Sequence, residues 1–285
     1  MSVKTENAGP VLIVTLDRPE QRNALDAATS GTLRELFERL AFLPPPPPLP
    51  WAEAARGAPC RPHVIVLRGA GPAFCAGADL KEMAALARAG QDENLAAARA
   101  LALTFRAIRL CPVPVVARVH GPAYGGGVGL AAACDVVVAT GAARFQFTEA
   151  RLGLVAAVIA PVVLGRIGEA ACRHWFLTGD TIDAEAALRI GLVDRLAGAD
   201  ELDAAVTAVV RSLLAGGAAA QARIKQMLEG VVSLGFEKSL DFTARLLAET
   251  RAGAESQAAV GAFLRKEPVP WTDGAAAWTL PPEPA

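Results

Sequence analysis

The stretch Val113-Pro114-Val115-Val116-Ala117-Arg118-Val119-His120-Gly121-Pro122-Ala123-Tyr124-Gly125-Gly126-Gly127-Val128-Gly129-Leu130 passes from strand to turn to helix. Val113 to Val119 is a short apolar, β-branched run of the kind that forms a buried strand. His120 to Gly127 is a glycine-marked turn. The small residues that follow, through Ala133, suit a closely packed helix, and Asp135 to Ala139 reads as the next strand. Upstream the same grammar appears twice. Val64 to Leu67 is a short strand leading into a second glycine-marked turn, Phe74-Cys75-Ala76-Gly77-Ala78-Asp79, and Val11 to Leu16 is a strand that ends at Asp17-Arg18-Pro19. Strands alternating with helices predict an α/β chain.

The two turns have a chemical reading once Glu149 is set behind them, in Phe145-Gln146-Phe147-Thr148-Glu149. Each turn can aim a bare backbone N–H at one point, and two such donors make an oxyanion hole for a thioester carbonyl. A nearby carboxylate can then move a proton beside that polarised carbonyl. Taken alone, a Gly-Gly-Gly run is a plain loop and a glutamate is a solvated surface group.

Whole-chain numbers narrow the field. The 285 residues carry a net charge of −1, with 53% hydrophobic and 20% charged residues. No basic surplus points to nucleic acid. The longest apolar stretch, Leu152 to Gly165, contains Pro161 and falls short of the ~20 residues that span a bilayer, so no membrane role is expected. The N-terminus has no apolar signal region. Five cysteines without CxxC or paired spacing read as reduced thiols of a cytoplasmic protein, and three histidines make a His-rich metal site unexpected.

Asp26 is positioned to cap a helix whose apolar residues, Leu33, Leu36, Phe37 and Leu40, recur at i, i+3, i+4 and i+7. That helix runs into Pro44-Pro45-Pro46-Pro47-Pro48, which no helix continues. Residues 43–62 therefore form a Pro- and Ala-rich insert, partly polyproline II, on a core spanning 1–199. Asp183 caps a short helix ending before Gly191. Residues 200–285 read as a helical region with an apolar stripe of Ile224, Met227, Leu228 and Val231.

Taken in order, these motifs resemble the crotonase (enoyl-CoA hydratase/isomerase) superfamily. Val14-Thr15-Leu16-Asp17-Arg18-Pro19-Glu20-Gln21-Arg22-Asn23-Ala24-Leu25 is similar to its opening. Leu177-Thr178-Gly179-Asp180, Ala184-Glu185-Ala186-Ala187, Gly191-Leu192-Val193 and Ala262-Phe263-Leu264-Arg265-Lys266 are similar to later segments. The resemblance covers about residues 8–271. It implies a spiral of repeated β-β-α units with a C-terminal helical region that builds a homotrimer, or a hexamer as a dimer of trimers. The insert is a departure, because the family has a shorter connection there.

The resemblance also implies an acyl-CoA substrate, with coenzyme A as part of that substrate and no separate cofactor or metal. By position, the oxyanion donors are the N–H groups of Ala78 and Gly126, and Glu149 is the proton-transferring carboxylate. Phe145, Phe147, Leu152 and Leu154 are expected around Glu149, raising its pKa. CoA contacts carry over onto Arg22, Ala24, Ala76, Asp79, Leu80 and Lys81, with Phe263 and Lys266 reaching the adenine and phosphates from the C-terminal helix. His120 reads as structural.

The best-known hydratases have a second glutamate three residues after the middle glycine of the Gly125-Gly126-Gly127 run; Gly129 stands there in this chain. Three readings remain. A hydratase is the first, nearest in motif to methylglutaconyl-CoA-type and isohexenylglutaconyl-CoA enzymes, with Arg151 available to a distal substrate carboxylate. A Δ3-Δ2-enoyl-CoA isomerase using Glu149 alone is the second. The third is a non-catalytic binder of acyl-CoA or an acyl carrier.

Overall fold

A computed structural model describes residues 2–54, 57 and 59–282, the side chain of Ala52 apart. Strands β1 (Val3–Ala8) and β2 (Val11–Leu16) form an antiparallel hairpin. Then follow α1 (Ala27–Phe42), a short helix α2 (Trp51–Ala54), β3 (Val64–Gly69), α3 (Leu80–Leu86) and α4 (Gln91–Arg109). The middle of the chain gives β4 (Val115–Val119), β5 (Ala123–Tyr124), α5 (Gly126–Ala133), β6 (Val136–Thr140) and β7 (Arg144–Gln146). After these come α6 (Ala160–Thr178), β8 (Thr181–Asp183), α7 (Ala184–Arg189) and β9 (Arg195–Ala197). The chain closes with α8 (Leu202–Leu214), α9 (Ala218–Leu234), α10 (Phe236–Ala252) and α11 (Ala254–Arg265).

The main sheet has six strands in the order β1-β2-β3-β4-β6-β9, and every pairing after the first hairpin is parallel. A smaller sheet, β5-β7-β8, stands beside it. The four strands read from sequence, β2, β3, β4 and β6, have boundaries within two residues of those expected.

Alternation along the strands divides the apolar residues between two cores, as a pleat requires. Leu12, Val14, Leu16, Ile65 and Leu67 face the core shared with α1, α4, α5 and α6. Val11, Ile13, Val64, Val66 and Val116 face the other side, where Leu202, Val206, Val210 and Leu214 of α8 cover them. Asp26 caps α1, its Oδ1 accepting from Thr29 N at 2.7 Å. Asp183 Oδ1 likewise accepts from Ala186 N at the start of α7.

The insert is pinned to the body at both ends. Arg61 donates to the carbonyls of Leu40 and Ala41 at the end of α1, and its own N–H reaches the Pro44 carbonyl. Trp51 stacks edge-on against the buried His63, with ring centroids 5.5 Å apart. Residues 55, 56 and 58 of the insert lie outside the described residues.

The stripe read as apolar on α9 is outward-facing: Ile224 and Leu228 are each about half exposed. Phe236, Phe263 and Leu264 on α10 and α11 are exposed as well.

Candidate active site

Parallel pairing brings three loops to one edge of the main sheet. The strands β2, β3 and β4 are neighbours running the same way, so the segments that follow them, 17–26, 70–79 and 120–125, leave from the same side. Binding sites in open α/β sheets gather at such carboxyl ends.

The first two segments are then laced together. Leu25 N donates to the Gly77 carbonyl at 2.7 Å, and Asp79 N and Ala76 N return bonds to Leu25 O and Arg22 O, each at 2.9 Å. In a parallel pairing successive N–H groups point to opposite sides. The Asp79 N–H is used by the 22–25 segment, which leaves the N–H of the adjacent Ala78 turned the other way. Among the described residues no acceptor takes it. Gly77 has φ +91°, a conformation that favours glycine, and a Cβ there would sit 2.6 Å from the Tyr124 carbonyl oxygen.

The third segment meets the second backbone to backbone. Phe74 N and Cys75 N both donate to the Pro122 carbonyl, and Tyr124 N donates to Cys75 O at 3.0 Å. The first turn of α5 therefore lies against the 74–79 turn. An ideal Cβ on Gly126 would lie 3.8 Å from Ala78 N and 3.7 Å from Gly77 Cα. The Gly126 N–H opens α5, where the first N–H groups have no intrahelical partner and the positive end of the helix dipole favours negative charge. It too has no acceptor among the described residues.

Glu149 arrives through the small sheet. Strand β5 pairs with β7 in register Ala123↔Phe145 and Tyr124↔Gln146, and Gly125 N donates to Gln146 O at 2.8 Å. Three residues past Gln146, the Glu149 side chain falls back over Gly125, where an ideal Cβ would be 3.1 Å from its Oε1. Gly125 has φ +46°. The other carboxylate oxygen, Oε2, is buried with no hydrogen-bond partner. Burial raises the pKa of this carboxyl above its ordinary value, a hydrogen bond to its own backbone opposing the shift.

The geometry thus brings Ala78, Gly126 and, across Gly125, Glu149 close together. Around them it also places Arg22, Ala24 and Ala76, through the same ladder. Asp79 turns inward: its Oδ1 accepts from Lys81 N at the start of α3, and its Oδ2 meets Arg18 at 3.3 Å. Leu80 and Lys81 are exposed at that helix start, Leu80 by 70%. Phe263 and Lys266 are exposed at the end of α11, which packs on α9, α10 and the turn at 270–272. No hydrogen bond or ion pair among the described residues joins α11 to the 76–81 turn.

Some expectations need correction. Phe145 and Phe147 are fully buried near Glu149, but Leu152 and Leu154 are 56% and 48% exposed and do not enclose it. Their N–H groups bond to the Glu149 carbonyl in a tight turn, which aims the side chains outward. Arg151 is already engaged: it pairs with Asp180 at 2.6 Å and donates to the Thr178 carbonyl. His120 joins the loops, its Nε2 lying 2.8 Å from the Gly71 carbonyl oxygen.

Two supporting residues carried no assigned role in the sequence. Asn23 is buried at φ +57°; its Nδ2 donates to Ala70 O and Ala73 O, both at 2.8 Å, and its Oδ1 accepts from Arg18 N. Arg18 pairs with Asp26 and Asp79 and donates to the Ala24 carbonyl. Away from the site, a 630 Å³ cleft is lined in part by Arg61, Arg109, Arg223 and Lys225. These cations are taken by carbonyls, Glu229, Glu249 and Asp135, in that order. Among the described residues no cluster of metal-ligating side chains occurs, and no single helix is long and apolar enough to cross a membrane.

Residues 58–274 match the family model described as enoyl-CoA hydratase/isomerase, and the chain belongs to that family. It has the crotonase fold. The enoyl-CoA hydratase AKT6-1 of Alternaria alternata is 33% identical over 266 residues, covering 91% of this chain and 80% of the relative. Among solved structures, Pseudomonas aeruginosa AtuE superposes with a TM-score of 0.86 at 33% identity, covering 95% of this chain and 100% of the other. An enoyl-CoA hydratase from Shewanella pealeana gives 0.84 at 29% identity, covering 95% and 96%.

Proposed function

We propose that this chain is an enoyl-CoA hydratase in which Ala78 and Gly126 donate to the thioester oxygen and Glu149 alone moves the proton. The observation that carries the reading is the partnerless, buried Oε2 of Glu149 beside two unengaged backbone N–H groups. Burying a polar atom unsatisfied costs about 1–3 kcal/mol, so a site that does so is arranged for something that binds there. Fixed amides suit an enolate oxygen because they need no reorganisation as charge develops.

The steps balance with one carboxylate. Ionised Glu149 takes a proton from water as the water oxygen bonds to C3 of the enoyl group. The C2=C3 electron pair moves toward the thioester oxygen held by the two amides. Glu149 then returns that same proton to C2, and one water has been added. The engaged state of Arg151 supports a neutral acyl chain over a glutaconyl-type one.

We assign the CoA moiety to the surface of Arg22, Ala24, Ala76, Asp79, Leu80 and Lys81, with Phe263 and Lys266 supplied by a neighbouring subunit. The exposed apolar residues of α9–α11 support a homotrimer, or a hexamer of paired trimers. A cytoplasmic location is part of the same proposal.

A second reading, the Δ3-Δ2-enoyl-CoA isomerase, has its own support. Gly129 lies against Ile159 and Phe105, so α5 presents no second carboxylate, and isomerisation needs only one. Incubation with crotonyl-CoA and with a 3-enoyl-CoA, following the absorbance of the conjugated thioester, separates the cases. Loss of conjugation from crotonyl-CoA supports the hydratase. Gain from the 3-enoyl substrate without hydration replaces it with the isomerase. Turnover of neither leaves a binder.

A further inference from the structure

One position on α5 is filled in a way that bears on the chemistry. Gly129 N donates to Gly125 O at 3.1 Å, so residues 125 and 129 stand one helical turn apart. Gly125 is the N-cap of α5 and Gly129 lies in its first turns, so the two positions follow one another along the helix. The Gly125 position abuts the Glu149 carboxylate. The Gly129 position abuts hydrocarbon: an ideal Cβ would lie 2.3 Å from Ile159 Cγ2 and 3.0 Å from Phe105 Cε1. Ile159 and Phe105 are each 1% exposed.

We infer that Ile159, backed by Phe105, is a specificity-determining residue that closes the position next to Glu149 with hydrocarbon and confines acid–base chemistry to that one carboxylate. The inference rests on the reading of Glu149 as the proton carrier. Ile159 sits at the entrance to α6, just before Ala160, and reaches across to α5, so the packing of these two helices sets the wall. A polar side chain at 129 has no room unless Ile159 is cut back.

The test is the pH dependence of kcat, with crotonyl-CoA or a 3-enoyl-CoA as the probe, whichever is turned over. The wild type is expected to show a single acidic limb and no basic limb. Ile159→Ala opens the wall to water, and the acidic limb is expected to move down by about half a unit or more. Gly129→Glu alone is expected to unfold or to melt well below the wild type. Gly129→Glu combined with Ile159→Ala is expected to fold and to give a bell-shaped profile, since a second ionising group now faces the substrate.

A bell-shaped wild-type profile overturns the inference. So does an Ile159→Ala profile identical to that of the wild type, and this variant decides the matter if the double variant does not fold. Full activity in Glu149→Gln, or no turnover of either probe, overturns the underlying reading instead. Loss of activity in Glu149→Gln with an unmoved Ile159→Ala profile overturns the inference alone.

Discussion

Replacing Gly127 with alanine would put a Cβ 2.1 Å from the Cys75 carbonyl oxygen and 2.9 Å from its carbon. Both obstacles are main chain, so no side-chain rotation relieves them. Real Cβ contacts under 3.0 Å essentially do not occur, so one of the two turns must recede by about 1 Å. The Cys75 carbonyl also accepts from Tyr124 N, and the displacement pulls on that bond. Overpacking of this kind costs about 1–3 kcal/mol of stability. The catalytic cost is the more telling one. The Ala78 and Gly126 amides belong to the two turns being pushed apart, and a 1 Å misplacement of reacting groups costs about 100-fold in rate. The assay is kcat on the substrate that the wild type turns over, together with the melting temperature. Gly31→Ala on α1 is the control: nothing lies within 4 Å of its Cβ position, and removing a mid-helix glycine is expected to raise stability by about 0.5–1 kcal/mol. A Gly127→Ala protein with wild-type kcat and melting temperature would refute the backbone-to-backbone packing of the two turns.

Other predictions follow from the same geometry. Glu149→Gln keeps the shape and removes the base, so turnover is expected to fall at least ~100-fold while CoA binding by calorimetry persists; an unchanged rate removes Glu149 from its role. Because ionised Glu149 is the base and its pKa is raised, kcat is expected to fall on acidification at a pH above that of an ordinary glutamate, and a flat profile down to that range contradicts this. Gly126→Pro deletes one donor and is expected to abolish activity; the donor alone is worth about 3–4 kcal/mol of barrier, and a native rate in this variant would dismiss the assignment. Buried His63 has its pKa lowered by desolvation to about 4 from 6.5, so its neutral form stabilises the fold above pH 6.5 and that contribution is lost as pH falls toward 4. Urea unfolding is expected to show the wild type losing up to about 3 kcal/mol more than His63→Phe across that window, and equal losses would contradict it.

The parts of this fold that were legible in the sequence have local causes. Asp26 and Asp183 cap helices because a short carboxylate accepts from an N–H three residues on, and that distance is written in the chain. The two site turns were legible because positive φ and close backbone approach demand glycine at Gly77, Gly125 and Gly127. What was not legible depends on contacts far apart in sequence. The space at Gly129 is taken by Phe105 of α4 and by Ile159, just ahead of α6. Leu152 and Leu154 belong to an apolar run, yet a tight turn points them outward.

The C-terminal segment makes the same point. Trp278 Nε1 donates to the Ala8 carbonyl, and the fully buried Arg68 donates to Thr15 and to the carbonyls of Pro281 and Pro282. No periodicity announces a strap of this kind, because its bonds run to single residues rather than to a face.

The central claim is that the amides of Ala78 and Gly126 polarise one thioester carbonyl. Isotope-edited infrared difference spectroscopy of carbonyl-labelled crotonyl-CoA bound to Glu149→Gln reads that bond directly. The account predicts a C=O stretch moved to lower frequency than in free crotonyl-CoA, with part of the shift lost when Gly127→Ala is added. A bound thioester whose carbonyl stretch stays at its solution frequency would contradict it.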